Sequence, residues 1–417
     1  MATLQINGSV KLKGEIEVYG AKNAALPCIA ATLLTTDTCV LHNVPQIGDV
    51  KNLLSIMEGM GAQIKWQTEN TLEITCKEID PQKLDAKLVK AIRSSVLLLG
   101  PMLVRFKEMV LPEPGGCIIG NRPLDAHIAV FKGLGCEINR TQDGIHVQTK
   151  QLIGNEVSAR FSVTGTENAL MAASGAQGVT AIHLSAREPH VVCVAQMLEK
   201  MGVEIGGLGL ETMHVKGVNK LHGVEHTIIP DQIETGTFVA AVAATRGTVD
   251  IHNVVSEHFD AMNMVLDDMK LSYKYRGDVL SIAPSGTLQA FKLQTQPYPG
   301  FPTDLQSPFG VLATQCAGTS LIHDTMFEGR MGYINELVKM GANAVVCDPH
   351  RVLISGPTPL YGTEVRSLDL RAGATMVIAG LLADGTTTIF DAQILERGYY
   401  KLKERLSKLG AVMEYVS

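Results

Sequence analysis

MEGMGAQIKW at Met57–Trp66 is the first copy of a phrase that organises the whole chain. It returns as FKGLGCEINR at Phe131–Arg140, LEKMGVEIGG at Leu198–Gly207, LVKMGANAVV at Leu337–Val346 and LSKLGAVMEY at Leu406–Tyr415. A degenerate copy, LDDMKLSYKY at Leu266–Tyr275, has Lys270 where the others have glycine. That marker position falls at 61, 135, 202, 270, 341 and 410, in steps of 74, 67, 68, 71 and 69 residues. A near-constant step is the signature of a repeated structural unit. Six repeats of about 70 residues fill nearly all of the 417.

The repeat can be read physically. Ahead of the marker, apolar residues recur at helical spacing, as in Val50, Leu53, Leu54 and Met57, or Val191, Val194, Ala195 and Leu198. Glycine just beyond ends the helix in a left-handed cap, and Lys270 loosens the fourth one. A β-rich segment such as Thr71–Thr75 follows. Upstream, a small-residue helix feeds a strand through a Gly- or Asp-containing turn, as in residues 24–44 and 243–254. Each repeat therefore reads helix–strand–loop–helix–strand–strand. Three such repeats make a core of comfortable domain size, about 200 residues. The division is expected between the third and fourth repeats, near Gly223–Pro230, and the alternating first 20 residues are expected to pair with the last strands. A continuous six-repeat propeller or solenoid fits less well, because each repeat is rich in helix.

Composition limits the partners. Thirty-six Lys+Arg against 42 Asp+Glu leave a formal charge of −6, which argues against a chain-wide basic face for nucleic acid or anionic membrane. A local cationic pocket remains allowed. The N-terminus reads as alternating strand, not as a secretion signal. The longest apolar run, Val96–Val104, is broken by Gly100 and Pro101 and is far shorter than the roughly 20 residues of a membrane span. Eight cysteines without a C-x-x-C pair read as free thiols in a reducing, cytoplasmic compartment, with no metal site expected.

Charged residues recur at matching places. First helices are expected to start at Lys22-Asn23, Arg93, Thr166-Glu167, Glu234, Asp304 and Arg371. Loops after the first strand hold Arg122, Arg187, Arg330 and Arg397. A lone Lys or Arg is usually solvated surface. A cation at a helix start opposes the dipole, however, so Lys22, Arg93 and Arg371 are better explained by a bound anion. A cleft between two three-repeat domains would then be cationic and would steer small anions. One loop breaks the pattern: LPEPGGCIIGNRPLDAH at Leu111–His127 is long and Gly-rich, as a lid over a site would be. Cys117 within it, near Arg122, is expected to have a lowered pKa and to be reactive. Cys28, Cys39 and Cys193 lie on apolar stretches and read as buried, inert thiols.

With these residues in view, the chain resembles the UDP-N-acetylglucosamine 1-carboxyvinyltransferase family along its whole length. The resemblance rests on GAKNAALP at Gly20–Pro27, PGGCIIGNRPLDAH at Pro114–His127, FPTDLQ at Phe301–Gln306, DLRAGA at Asp369–Ala374 and ERGY at Glu396–Tyr399. It implies a fold of two inside-out, prism-like α/β barrel domains of three repeats each, with the active-site cleft between them. The implied domains are 22–229, carrying the lid, and 1–21 with 230–417. The implied reaction moves the enolpyruvyl group of phosphoenolpyruvate onto the 3′-hydroxyl of UDP-N-acetylglucosamine and releases phosphate. Addition and then elimination proceed through a tetrahedral ketal with no cofactor or metal, at the first committed step of peptidoglycan precursor synthesis. No nucleic acid or membrane partner is implied.

Matching positions carry the implied roles. Lys22, Arg122 and Arg397 would hold the phosphate with Asn23 beside them, and Arg330 and Arg371 the carboxylate. Asp304 would take the hydroxyl proton, although a carboxylate ringed by arginines is expected to be a weak base. Cys117 would be the proton donor, the site of a covalent adduct with phosphoenolpyruvate and the target of fosfomycin. For the nucleotide sugar the match implicates Arg93, Arg122, Pro123, Leu124, Asp125, His127, Ser162, Val163, Gly165, Asp304 and Met326. Arg160, Ser307-Pro308 and Gly332-Tyr333 depart from the family's usual residues. Two alternatives stand beside this reading. An enzyme like 5-enolpyruvylshikimate-3-phosphate synthase would call for a different first-helix motif and no cysteine lid. A catalytically silent UDP-sugar-binding paralogue would be expected to have lost a pocket cation, Cys117 or Asp304.

Overall fold

The computed structural model describes residues 2–116, 119–120 and 122–416. Two compact units emerge. One comprises Met1–Tyr19, Ile118–Asn121 and Pro230–Ser417; the other comprises Gly20–Cys117 and Arg122–Ile229. Among the described residues there are six small sheets, three in each unit, five of them mixed and one antiparallel.

In the unit built on residues 20–117 and 122–229, one sheet runs Glu225–Thr227, Thr38–His42, Leu72–Thr75, Gln63–Trp66. A second runs Glu108–Leu111, Gly144–Gln148, Glu137–Thr141, and a third runs Glu204–Gly206, Met213–Lys216, Val179–His183, Glu156–Ser158. The expected order of elements holds in each repeat, for example helix Lys22–Ala31, strand Thr38–His42, helix Gly48–Gly59 and the hairpin Gln63–Trp66/Leu72–Thr75. A short strand just ahead of the following central helix adds itself in parallel, as Glu225–Thr227 does to Thr38–His42.

The other unit shows why helices are inside and sheets outside. Its first helices, Gln232–Ala244, Gln306–Ala313 and Leu370–Leu382, pack on one another. All eight residues of the second are buried, as are all but one of the thirteen in each of the others. A helix that is apolar all round has no face to offer water, so it takes the centre. Second helices such as Asp260–Asp268 are amphipathic and cover the outside. No helix among the described residues is long and apolar enough to cross a membrane.

Marker positions behave as the period predicts. Gly61, Gly135, Gly202, Gly341 and Gly410 have φ between +90° and +112°, and Lys270 adopts +61°. Lys270 therefore keeps the helix-ending turn, its N–H donating to Asp267 O at 3.0 Å as Gly61 donates to Glu58 O at 2.9 Å. The sixth repeat ends in a single strand, Val412–Val416, and the N-terminal strand Thr3–Asn7 supplies its missing partner. Leu4 faces Tyr415 on one side and Ile389 on the other. The expected pairing of the chain's start with its last strands is what the sheet contains.

Two of the departures from the family pattern are absorbed by packing. Tyr333 is fully buried, donates to Gln306 Oε1 at 3.1 Å, and occupies the space a Cβ on Gly310 would need. Ser307 meets Thr375 across two central helices, hydroxyl to hydroxyl at 2.9 Å.

Candidate active site

Within the unit of residues 230–417, a carboxylate lies between two guanidiniums. Asp304 sits on the turn Thr303–Leu305 that opens the helix Gln306–Ala313. Its Oδ1 is 2.7 Å from Arg330 Nη1, and Oδ2 accepts from Arg371 Nη2 at 2.9 Å and Nε at 3.1 Å. Arg371 is the second residue of Leu370–Leu382, whose start is capped by Asp369 accepting from the N–H groups of Arg371 and Ala372. Burial alone would lower the pKa of Arg371. Contact with Tyr399 and the carboxylates of Asp304 and Asp231 together outweigh it and hold the guanidinium well above its usual value. The Tyr399 ring lies 5.4 Å from its centre. Arg397 closes the turn Ala392–Arg397, which packs against the helix bearing Arg371.

These cations are not fully spent on Asp304. Arg371 Nη1 and Arg330 Nε are buried and have no hydrogen-bond partner among the described residues. Buried, unpaired guanidinium N–H groups are costly unless an acceptor arrives. A planar carboxylate is the acceptor that such forks fit.

Asp324, which sequence reasoning did not single out, holds the neighbourhood together. It is fully buried and accepts from Thr295 Oγ1 at 3.0 Å, Thr303 Oγ1 at 2.6 Å and the N–H groups of Met326 and Phe327 at 2.9 and 3.2 Å. Thr303 in turn accepts from Arg330 Nη1 at 3.1 Å. Asp324 thus fixes the turn of Asp304 and the loop of Met326 at once. A lone Asp closing a strand carries no periodic signal that would have revealed it.

The unit of residues 20–117 and 122–229 places the other candidates. Lys22 is the first residue of Lys22–Ala31, a helix with no side-chain cap, and Asn23 follows half-buried. Lys22 Nζ lies 3.3 Å from the buried Asp49. Arg93 begins the turn Arg93–Leu98 and donates to the carbonyl of Arg122. Burial, then the charge of Arg122, lowers its pKa to about 10, which leaves it cationic at neutral pH. Pro123 and Asp125 are exposed, with Asp125 opening the helix Asp125–Gly133, while Leu124 is buried. Ser162 caps Val163–Ala173 by accepting from Gly165 N at 3.1 Å, leaving Val163 and Thr164 half-exposed at the helix start. Arg160 and Phe161 just before it both have positive φ, 52° and 56°.

His127 is buried, and its environment fixes its tautomer. Asn168 Oδ1 accepts from Gly100 N at 2.8 Å and its Nδ2 donates to Val96 O at 2.9 Å. The amide orientation is therefore set, and Nδ2 also donates to His127 Nδ1 at 3.0 Å. The ring proton must sit on Nε2 and point to Thr164 Oγ1, 3.1 Å away. Burial, then the charge of Arg93, lowers His127 to about 3, so the ring is neutral. It supports the start of Val163–Ala173 from beneath.

One expected helix start is corrected. Thr166 and Glu167 lie inside the helix Val163–Ala173 and are fully buried. Glu234 is the third residue of Gln232–Ala244 and pairs with Arg405 at 2.6 and 3.0 Å, an internal ion pair. Nor do Lys22 and Arg371 lack internal counterions, since Asp49 and Asp304 face them. Cys117 lies outside the described residues. Just before it, the two lid glycines are required by contact. A Cβ on Gly115 would stand 1.7 Å from Lys90 O, and Gly116 has φ +113° beside Arg93.

Comparison with known proteins narrows the chemistry. The profile of the family described as EPSP synthase (3-phosphoshikimate 1-carboxyvinyltransferase) matches residues 6–406. The chain is 40% identical over 420 residues to a UDP-N-acetylglucosamine 1-carboxyvinyltransferase of Finegoldia magna, covering 100% of this chain and 99% of that one. It is 41% identical over 415 residues to the enzyme of the same name from Helicobacter pylori strain P12, covering 99% and 98%. Among solved structures, the enolpyruvyl transferase NikO from Streptomyces tendae aligns with a TM-score of 0.90 at 25% identity, covering 100% and 99%. An EPSP synthase from Acinetobacter baumannii aligns at 0.75 and 18% identity over the whole of both chains, a likeness of fold alone.

Proposed function

We propose that this chain, which belongs to the EPSP synthase family of enolpyruvyl transferases, uses UDP-N-acetylglucosamine as its acceptor. Transfer of an enolpyruvyl group from phosphoenolpyruvate to a hydroxyl-bearing acceptor is the chemistry of the family. The observation that carries the choice of acceptor is full-length likeness, at 40–41% identity, to two transferases named for it. NikO, at 25%, marks how far the fold extends to other members, so the acceptor is what a test must decide.

The proposed chemistry assigns each group a task. Lys22, Asn23, Arg122 and Arg397 take the phosphate, and Arg330 and Arg371 offer their unpartnered N–H groups to the carboxylate. The sugar hydroxyl adds to C2 of the enol while its proton passes towards Asp304 and another proton reaches the methylene carbon, for which Cys117 is the donor. Loss of phosphate and of one methyl proton then restores the double bond. A carboxylate already bonded to two guanidiniums is a reluctant base, so proton transfer to Asp304 accompanies C–O bond formation. Arg93, Arg122, Pro123, Leu124, Asp125, the Ser162–Gly165 turn and Met326 receive the nucleotide sugar. His127 acts through Thr164 from below, since its ring is buried. The product would enter peptidoglycan precursor synthesis.

Phosphate release from phosphoenolpyruvate tests this directly, with UDP-N-acetylglucosamine in one arm and shikimate 3-phosphate in the other. Turnover is expected in the first arm alone. Release only with shikimate 3-phosphate, or with neither, overturns the assignment.

A further inference from the structure

Three soft ligand atoms converge inside the unit of residues 20–117 and 122–229. Cys28 lies in the central helix Lys22–Ala31, Cys193 in the helix Pro189–Lys200 and His226 in the strand Glu225–Thr227. They are 0%, 1% and 4% exposed, and their ligand atoms all lie within 4.8 Å of one another. Cys193 Sγ and His226 Nε2 are already 3.3 Å apart.

His226 is the unexpected member. The repeat offers an internal comparison, because the corresponding three-residue strands bury Val157, Leu293 and Val365 at their middle position. The fold therefore fills that slot with an aliphatic side chain. A buried imidazole there is destabilising unless something compensates it, and what it faces is a pair of thiols. Glu167 adds a second unsatisfied group. It is 2% exposed and its Oε1 has no hydrogen-bond partner among the described residues.

We propose that Cys28, Cys193 and His226 together bind one thiophilic d10 cation of the Zn2+ class inside this unit. A tetrahedral ion with Zn–S of about 2.3 Å sets its sulfurs about 3.8 Å apart. The three ligand atoms need move by only about 1 Å to reach that arrangement. On binding, each thiol loses its proton to solvent, two metal–sulfur bonds form and the imidazole donates a lone pair, with no change of oxidation state. Zn2+ with two thiolates and a neutral imidazole carries no net charge, which is what a dry interior tolerates. One support is missing: a metal-ligating histidine ordinarily donates its other N–H outward, whereas His226 Nδ1 has no hydrogen-bond partner among the described residues. Such outer partners are worth about 10–100-fold in affinity, so the site binds more weakly than a dedicated zinc site. The ion would tie the helix bearing Lys22 and Asn23 to its neighbours. Cysteine spacing cannot reveal such a site, because the ligands come from three widely separated elements.

The full chain, without an affinity tag, is expressed in zinc-supplemented and in cobalt-supplemented medium and then desalted. One ion per chain is expected by elemental analysis. The cobalt form should show thiolate-to-metal charge transfer in the near ultraviolet. Zinc-edge X-ray absorption of the unmodified protein should give two sulfurs near 2.3 Å. Cys193→Ser should lose at least tenfold in retained metal, with Cys347→Ser unaffected. If Cys193→Ser does not fold, the absorption edge of the unmodified chain decides alone. No retained ion, oxygen and nitrogen ligands only, or equal retention by Cys193→Ser each overturns the proposal.

Discussion

Replacing Asp304 by asparagine keeps the shape of the side chain and removes its charge. In the native protein Asp304 bridges Arg330 at 2.7 Å and Arg371 at 2.9 and 3.1 Å, with Arg371 only 5% exposed. Removing one partner of a buried pair costs about 3–5 kcal/mol. The Asp304 side chain keeps 21% of its surface, so water offsets part of that loss, and a destabilisation of about 3 kcal/mol is expected. The same substitution frees guanidinium donors for a carboxylate from outside. Recovery of about 1.4 kcal/mol through that carboxylate corresponds to tenfold tighter binding of phosphoenolpyruvate. Turnover should fall by about 10²–10⁴-fold, the usual contribution of a positioned base. Calorimetric titration of phosphoenolpyruvate in saturating UDP-N-acetylglucosamine measures the first effect, and phosphate release the second. Weaker phosphoenolpyruvate binding by Asp304→Asn would refute the competition between the internal and external carboxylates. Unchanged turnover would remove Asp304 from the proton transfer.

Other outcomes are equally open to measurement. Lys270→Gly relieves a left-handed conformation that costs a side-chain-bearing residue about 1 kcal/mol, and should raise the melting temperature of its unit by about 2 °C; a fall would show that the Lys270 side chain contributes more than the strain. His127 binds its proton only near pH 3 in the folded state, whereas an unfolded histidine does so near 6.5. Between these values the unfolded state holds more protons, so this stability is present above pH 6.5 and is lost as pH falls towards 3. Urea unfolding at pH 4.5 and 7 should therefore show a smaller pH effect for His127→Gln than for the native protein, and equal pH effects would count against it. Fosfomycin should add its mass to the Cys117 peptide and abolish turnover, and inactivation with that peptide unmodified would sink the role given to Cys117.

Much of the fold was readable because it is periodic. A marker every 67–74 residues fixes where helices end, and even Lys270 obeys the position in place of its missing glycine. Alternation in the first residues foretold the pairing of Thr3–Asn7 with the last strand. What escaped was long-range. Position in the repeat put Glu234 at a helix start but could not show that Arg405, far away in sequence, pairs with it inside the protein. Cations at helix starts pointed to bound anions, yet spacing could not show that Asp49 and Asp304 already face two of them. Asp324 and the Asn168–His127–Thr164 chain act through buried hydrogen bonds, which leave no pattern in a linear sequence.

The placement of Thr3–Asn7 between Thr386–Phe390 and Val412–Val416 also orders events in time. Each doubling of a closed loop adds only about 0.6 kcal/mol, so equilibrium stability hardly registers the distance. Synthesis does. This strand is made well before both of its neighbours. At about 5–20 residues per second the interval is roughly 20–80 s. Within that interval residues 20–229 are completed and become free to fold, while the early strand still lacks both of its partners. A nascent chain of this protein therefore exposes the same short segment until these late partners are made.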